Sequence, residues 1–203
     1  MDRLNAVIFD LGRVLVEVDL ERGLWADLMR VAGGHAGHIG SLRDNDLLIG
    51  FHVGRIPPLA FFAEFCARTG RKMPYDEFAS RWCDCFAPMP GMAELVEELL
   101  FRGMTLGILS DTDPLHFPFC CGTFPYVGRI PNRVASYEVG ATKPSRAMFE
   151  AAVRAVGVPA ERCLFVDDLQ GNVDGAIAFG MQAVRFTGAE DLRERLRDPR
   201  AWK

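Results

Sequence analysis

The sequence predicts an α/β fold: a parallel β-sheet covered by helices on both faces, with a small helical module inserted after the first strand. Three observations predict it. Short apolar runs recur, continuous rather than alternating, as in strands buried on both faces. All but the first of them come after an apolar stripe at helical spacing. After that first run, residues 20 to 86 break the alternation and show helical patterns only.

The first strand is "AVIF" (6–9). Within the interruption, Leu20, Leu24, Leu28 and Val31 form one helical stripe. Leu59, Phe62, Ala63 and Cys66 form a second, after Pro57-Pro58, and Phe78, Ala79, Trp82 and Phe86 form a third. The run "PMPG" (88–91) reads as a hinge back into the sheet. Residues 1–17 and 88–203 are thus assigned to the core and 18–87 to the insert. "MAELVEELL" puts Met92, Leu95, Val96, Leu99 and Leu100 on one stripe, stopped by Gly103. The strand "TLGIL" (105–109) follows. "SRAMFEAAVRAVG" opens on a capping Ser145, aligns Met148, Phe149, Ala152, Val153 and Val156, and stops at Gly157. "CLFV" (163–166) is the next strand, then a helix aligning Val173, Ala176, Ile177 and Gly180, then the strand "QAVRF" (182–186). The glycine-rich "GGHAGHIG" follows no strand and is no dinucleotide fingerprint.

Composition narrows the function. A chain of 203 residues can bury about 70% of its extended surface, so it needs no disulfide or structural metal to fold. Hydrophobic residues make up 49% and charged residues 25%, which is ordinary for a soluble globular protein. A formal net charge of -4 without a dense basic cluster argues against nucleic acid as a partner. The end "DLRERLRDPR" alternates acids and bases and reads as a solvated helix face. Cys66, Cys83, Cys85, Cys120, Cys121 and Cys163 lack zinc-site spacing. The opening apolar run is too short for a signal peptide, and no stretch suits a bilayer. The expectation is a cytoplasmic protein with its cysteines as thiols.

In open parallel sheets, ligands bind at the carboxyl ends of the strands. The first strand exits into Asp10 and Gly12; "TLGIL" exits into Ser110, Asp111 and Thr112; "CLFV" exits into Asp167, Asp168 and Asn172. The segment "TKPS" presents Lys143 before its helix. Three carboxylates on one edge repel each other unless a cation joins them. Oxygen-only ligands suit Mg²⁺, which also takes phosphate oxygens. Asp10, Asp167, Asp168 and the Gly12 carbonyl are the candidate ligands. A carboxylate screened by a metal and an ammonium is a possible nucleophile towards phosphorus. Lys143 is read as binding the phosphate and orienting Asp10, and Ser110 as donating to a phosphoryl oxygen.

The segments "FDLGRVL", "LSDTDPLH", "ATKPSRAMF" and "FVDDLQGNVDGAIAFGM" resemble the four ordered motifs of the haloacid dehalogenase-like (HAD) superfamily. The helical insert resembles the cap of its subfamily I, and the core is then Rossmann-like. Gly12 and the "DD…N" pattern most resemble the branch of small sugar-phosphate phosphatases and epoxide hydrolase phosphatase domains. The resemblance implies that Asp10 forms an aspartyl-phosphate. It makes Asp168 the motif-four metal ligand, with Asp167 beside it and Asn172 steadying the site.

Two positions depart from the family pattern. Most phosphatases of the superfamily carry an aspartate where this chain has Gly12; that residue protonates the leaving group and activates water. Its loss predicts a slow enzyme favouring good leaving groups, such as anomeric sugar, acyl or aryl phosphates. Asp111 stands where relatives usually show Asn and would disfavour a phosphate dianion unless turned away, or would itself supply the acid. Asp113 and His116 are further candidates for that acid. The aromatics Phe61, Phe62, Phe65, Phe78 and Trp82 are read as cap core, and His35, His38 and His52 as surface or packing residues. The leading expectation is a Mg²⁺-dependent phosphohydrolase of a small phosphorylated metabolite, a monomer or homodimer. A metal-independent 2-haloacid dehalogenase and a catalytically silent ligand- or partner-binding protein are the alternatives.

Overall fold

The structure, a computed structural model, describes residues 4–31 and 46–197. His35, His38, the "GGHAGHIG" run and the Val31 side chain lie outside the described residues.

Five parallel strands form the main sheet: β1 (Ala6–Phe9), β4 (Thr105–Ser110), β5 (Asn132–Ala135), β6 (Cys163–Asp167) and β7 (Gln182–Arg185), in the order β5-β4-β1-β6-β7. β1 lies at the centre because both of its faces are apolar. Val7 and Phe9 enter the core on one side of the sheet, Ala6 and Ile8 that on the other. The sequence missed β5, whose "NRVA" has no apolar run. An edge strand needs apolar residues only where it meets the core, here Val134 and Ala135.

The first face is covered by helices at Met92–Phe101 and Ala189–Arg197, the second by helices at Arg146–Val156 and Gln170–Phe179. Three expectations shift in detail. Ser145 occupies the N-cap position, but its hydroxyl caps nothing and is buried without a partner. Ile177 belongs to the exposed face of its helix. Among Leu59, Phe62, Ala63 and Cys66, none is fully buried; Phe61 and Phe65 carry the buried stripe instead, one residue out of phase.

The insert consists of α1 (Gly23–Val31), α2 (Asp46–His52), α3 (Pro58–Thr69) and α4 (Tyr75–Trp82). They gather around their own aromatic core, in which Phe51 stacks on Phe61 at 4.1 Å between ring centroids and Phe61 meets Trp82 edge-on. The chain enters and leaves the insert through a two-stranded antiparallel ribbon, β2 (Val16–Val18) on β3 (Phe86–Pro88). The sequence read Phe86 as the end of a helical stripe; it is a strand residue, paired with Val18.

Candidate active site

β1, β4 and β6 are neighbours in register: Phe9 lies level with Ile108 on one side and Val166 on the other. The residues after them therefore meet at one edge. The Asp10 N–H donates to the Val166 carbonyl at 2.8 Å, so the carboxylate leaves the sheet beside Asp167 and Asp168. Ligand oxygens of Asp10, Asp167 and Asp168 lie within 4.8 Å of one another. Of the described residues, these are the only three acids or metal-ligating groups so gathered.

Lys143 joins two of them. Its Nζ lies 2.8 Å from Asp10 Oδ1 and 2.8 Å from Asp167 Oδ2. Burial alone would lower its pKa; Asp10, Asp167 and Asp111 more than reverse this and hold the ammonium charged. The Lys143 loop is fixed from behind, because its backbone N–H donates to Asp111 Oδ1 at 2.9 Å. The extra carboxylate at 111 thus serves as a backbone acceptor.

The two adjacent acids differ. Asp167 is fully buried and accepts from Lys143, from the Leu169 N–H at 2.8 Å and from Asn172 Nδ2 at 3.0 Å. Asp168 is half-buried and faces open space. Burial raises its pKa, Asp167 adds to this, and Arg13 and Lys143 oppose it. Burial likewise pushes the Asp10 carboxyl well above its ordinary value; Lys143 opposes this, and Asp167 and Asp168 reinforce it. Asn172 spends its amide nitrogen on Asp167 and leaves its buried Oδ1 without a partner. Three carboxylates carrying more negative charge than one ammonium offsets, with a spare amide oxygen beside them, form an oxygen donor set that fits a hard divalent cation.

A cavity of about 360 Å³ opens over this edge. Its floor includes Asp10, Gly12, Arg13, Asp111, Thr142, Lys143, Asp168 and Asn172. Ser110, buried at the end of β4, and Asp167 stand behind the lining. Val18, Leu20, Leu48, Ile49 and His52 line it from the insert and its linker. The sequence assigned His52 to the surface or to packing; it lines the cavity because α2 ends above the sheet edge. Nothing local could have signalled this, since the approach depends on the docking of two distant segments. Gly54 is part of that docking: at φ 72 its Cβ position would lie 2.3 Å from the Tyr137 carbonyl oxygen, so only glycine fits. Ser136 Oγ donates to the His52 carbonyl at 2.6 Å and accepts from the Thr112 N–H at 2.9 Å.

Asp113 and His116 do not line the cavity. They pair with each other under the insert, so neither replaces the acid missing at Gly12. At Gly12 itself, an added Cβ would stand 3.2 Å from Val18 Cγ2.

A model of haloacid dehalogenase-like hydrolases matches residues 4–180. The chain belongs to that family. It is 28% identical to Phosphatase MT3486 of Mycobacterium tuberculosis, over 89% of this chain and 86% of that one. It is 22% identical to the D-ribitol-5-phosphate phosphatase of Bacteroides thetaiotaomicron, over 95% of this chain and 97% of that one. A HAD family enzyme of Bacteroides thetaiotaomicron, solved with magnesium and inorganic phosphate, superposes with a TM-score of 0.78. It is 20% identical, with 96% of this chain and 100% of that one covered. The shared feature with that structure is the fold. This chain is therefore a HAD-like hydrolase with a five-stranded core and a helical insert. Among its described residues, no helix is long and apolar enough to cross a membrane.

Proposed function

We propose that this HAD-like hydrolase is a Mg²⁺-dependent phosphohydrolase that cleaves a small phosphomonoester through an aspartyl-phosphate on Asp10. The observation that carries the reading is the approach of the Asp10, Asp167 and Asp168 oxygens to within 4.8 Å beside a buried ammonium. The phosphatase names of two relatives, each alike over most of both chains, support it.

Asp10, Asp168 and the free Asn172 oxygen would hold the cation; Asp167 would tie Lys143 and Asn172 in place behind it. Bound Mg²⁺ supplies charge neutralisation at the phosphate and at the attacking carboxylate. Lys143 fixes one Asp10 oxygen and leaves the other to attack phosphorus. The ester P–O bond breaks as the Asp10 O–P bond forms, and the alcohol oxygen departs with the electron pair. Water then attacks the phosphorus, the Asp10 O–P bond breaks, and the proton that the water loses balances the one that the departed oxygen takes from solvent, so phosphate is released and Asp10 is restored. Ser110 is the candidate donor to a phosphoryl oxygen. With Gly12 in place of an acid, the leaving oxygen receives no proton from that position. General acid help is worth roughly 10²–10⁴-fold, so esters with good leaving groups are the substrates of choice.

The test is phosphate release with Mg²⁺ and with chelator. Asp10→Asn should abolish release, and chelator should suppress it. A dehalogenase would free halide from a 2-haloacid regardless of chelator, and a silent binding protein would release neither product.

A further inference from the structure

The two ends of the cavity have opposite chemistry. Charged groups gather at the sheet edge, where the phosphate belongs. Facing them are Val18 from β2, Leu20 from the turn after it, and Leu48 and Ile49 from α2. His52 is the one polar side chain that the described cap residues add to this lining. Its Nε2 lies 3.9 Å from Asp113 Oδ2, too far for a hydrogen bond. Burial, only partly opposed by Asp113, lowers its pKa to about 4, so at neutral pH it offers one donor and one acceptor. A polyhydroxylated leaving group would bury several hydroxyls against four aliphatic side chains, and unpaired buried hydroxyls weaken binding.

The same wall governs proton supply. Val18 Cγ2 stands close to position 12, 3.2 Å from where a Cβ would lie, so a side chain there would press on it. The apolar contact and the absence of an acid thus occur at the same place in the cavity. A phenolic oxygen tolerates both, because it leaves as a stabilised phenolate and its ring is apolar. A cavity of about 360 Å³ has room for a phosphorylated ring.

We infer that the substrate is an aryl phosphomonoester, a phosphorylated phenol, whose ring packs on Val18, Leu20, Leu48 and Ile49 and whose one polar substituent meets His52. This rests on the phosphohydrolase reading above.

The experiment compares kcat/KM for phenyl phosphate, ribitol 5-phosphate and glucose 1-phosphate on the whole protein with Mg²⁺. It adds inhibition by phenylphosphonate, which cannot be hydrolysed and so reports binding apart from leaving-group ability. Phenyl phosphate should exceed both polyol esters by about 10²-fold, and phenylphosphonate should compete better than a hydroxylated alkylphosphonate. Val18→Thr and Ile49→Thr, checked for folding by thermal melts, should shrink the aryl preference by several-fold. A polyol phosphate turned over faster than phenyl phosphate overturns the inference while leaving the phosphohydrolase standing. Equal competition by the two phosphonates overturns it too. No phosphate from any ester overturns the phosphohydrolase reading and this inference with it.

Discussion

Asp113 Oδ2 lies 2.7 Å from His116 Nδ1, and both residues are buried beneath the cap. The pair joins cap to core. Trp82 Nε1 donates to Asp113 at 3.1 Å, His116 Nε2 lies 2.9 Å from the Trp82 carbonyl oxygen, and the His116 ring stacks on the Trp82 indole. Two residues that look available for proton transfer in the sequence are thus consumed in holding the cap down.

That pair makes stability depend on pH in a defined direction. Burial opposes charge on both groups, but each partner outweighs it: Asp113 is held down to about 2 and His116 is pushed up to about 10. The Asp113 share is present above its ordinary value of 3.8 and lost as pH falls through about 2. The His116 share is complete below 6.5 and lost as pH rises through about 10. Urea unfolding should show a decline as pH rises from 6.5 towards 10. His116→Asn should remove the alkaline slope and cost roughly 3–5 kcal/mol, because it strands a buried carboxylate.

Asp167 and Asp168 should separate cleanly on mutation. Asp168→Asn should sharply raise the Mg²⁺ needed for half-maximal activity. It should also leave the metal-free protein at neutral pH at least as stable, since it removes a carboxylate whose charge is disfavoured there. Asp167→Asn should weaken metal binding by about 10–100-fold and lower the melting temperature, because the amide keeps one acceptor oxygen and no charge where Lys143, the Leu169 N–H and Asn172 share two carboxylate oxygens. Mg²⁺ titrations paired with metal-free melts distinguish the two; identical behaviour would overturn the division of roles.

Asp111→Asn should be mild for folding. An amide oxygen accepts the Lys143 N–H as a carboxylate does. One negative charge then leaves the cavity floor, so KM for a phosphate ester should fall several-fold with kcat little changed. A large loss of stability would show that the carboxylate's charge matters to the Lys143 loop.

Gly12→Asp should not restore fast turnover of alkyl phosphates by itself, because Val18 crowds the new side chain. Gly12→Asp combined with Val18→Ala should, by up to roughly 10²-fold, the lower end of general acid help. Rates on a simple alkyl phosphate, with phenyl phosphate as the control, check this. Equal gains in the single and double variants would show that Val18 is not the obstacle.

The sequence by itself determined the sheet and its reactive edge. Continuous apolar runs can be buried only as central strands, and their exits must then share one side, so Asp10, Ser110, Asp111, Asp167, Asp168 and Lys143 were legible as neighbours. Local pattern also marked out a helical insert, since residues 20 to 86 carry helical stripes that do not alternate with strands. It failed at β5 and along α3, where half-exposed edge residues and a ring of phenylalanines give no unambiguous face. Only the tertiary structure decided which of two adjacent acids is buried behind Lys143, that Asp113 and His116 pair with each other, and that His52 lines the cavity. Each of these depends on contacts between segments far apart in the chain. Gly12 shows the division most clearly: the sequence reveals that no acid stands there, and the fold reveals that Val18 would touch any side chain added at that position.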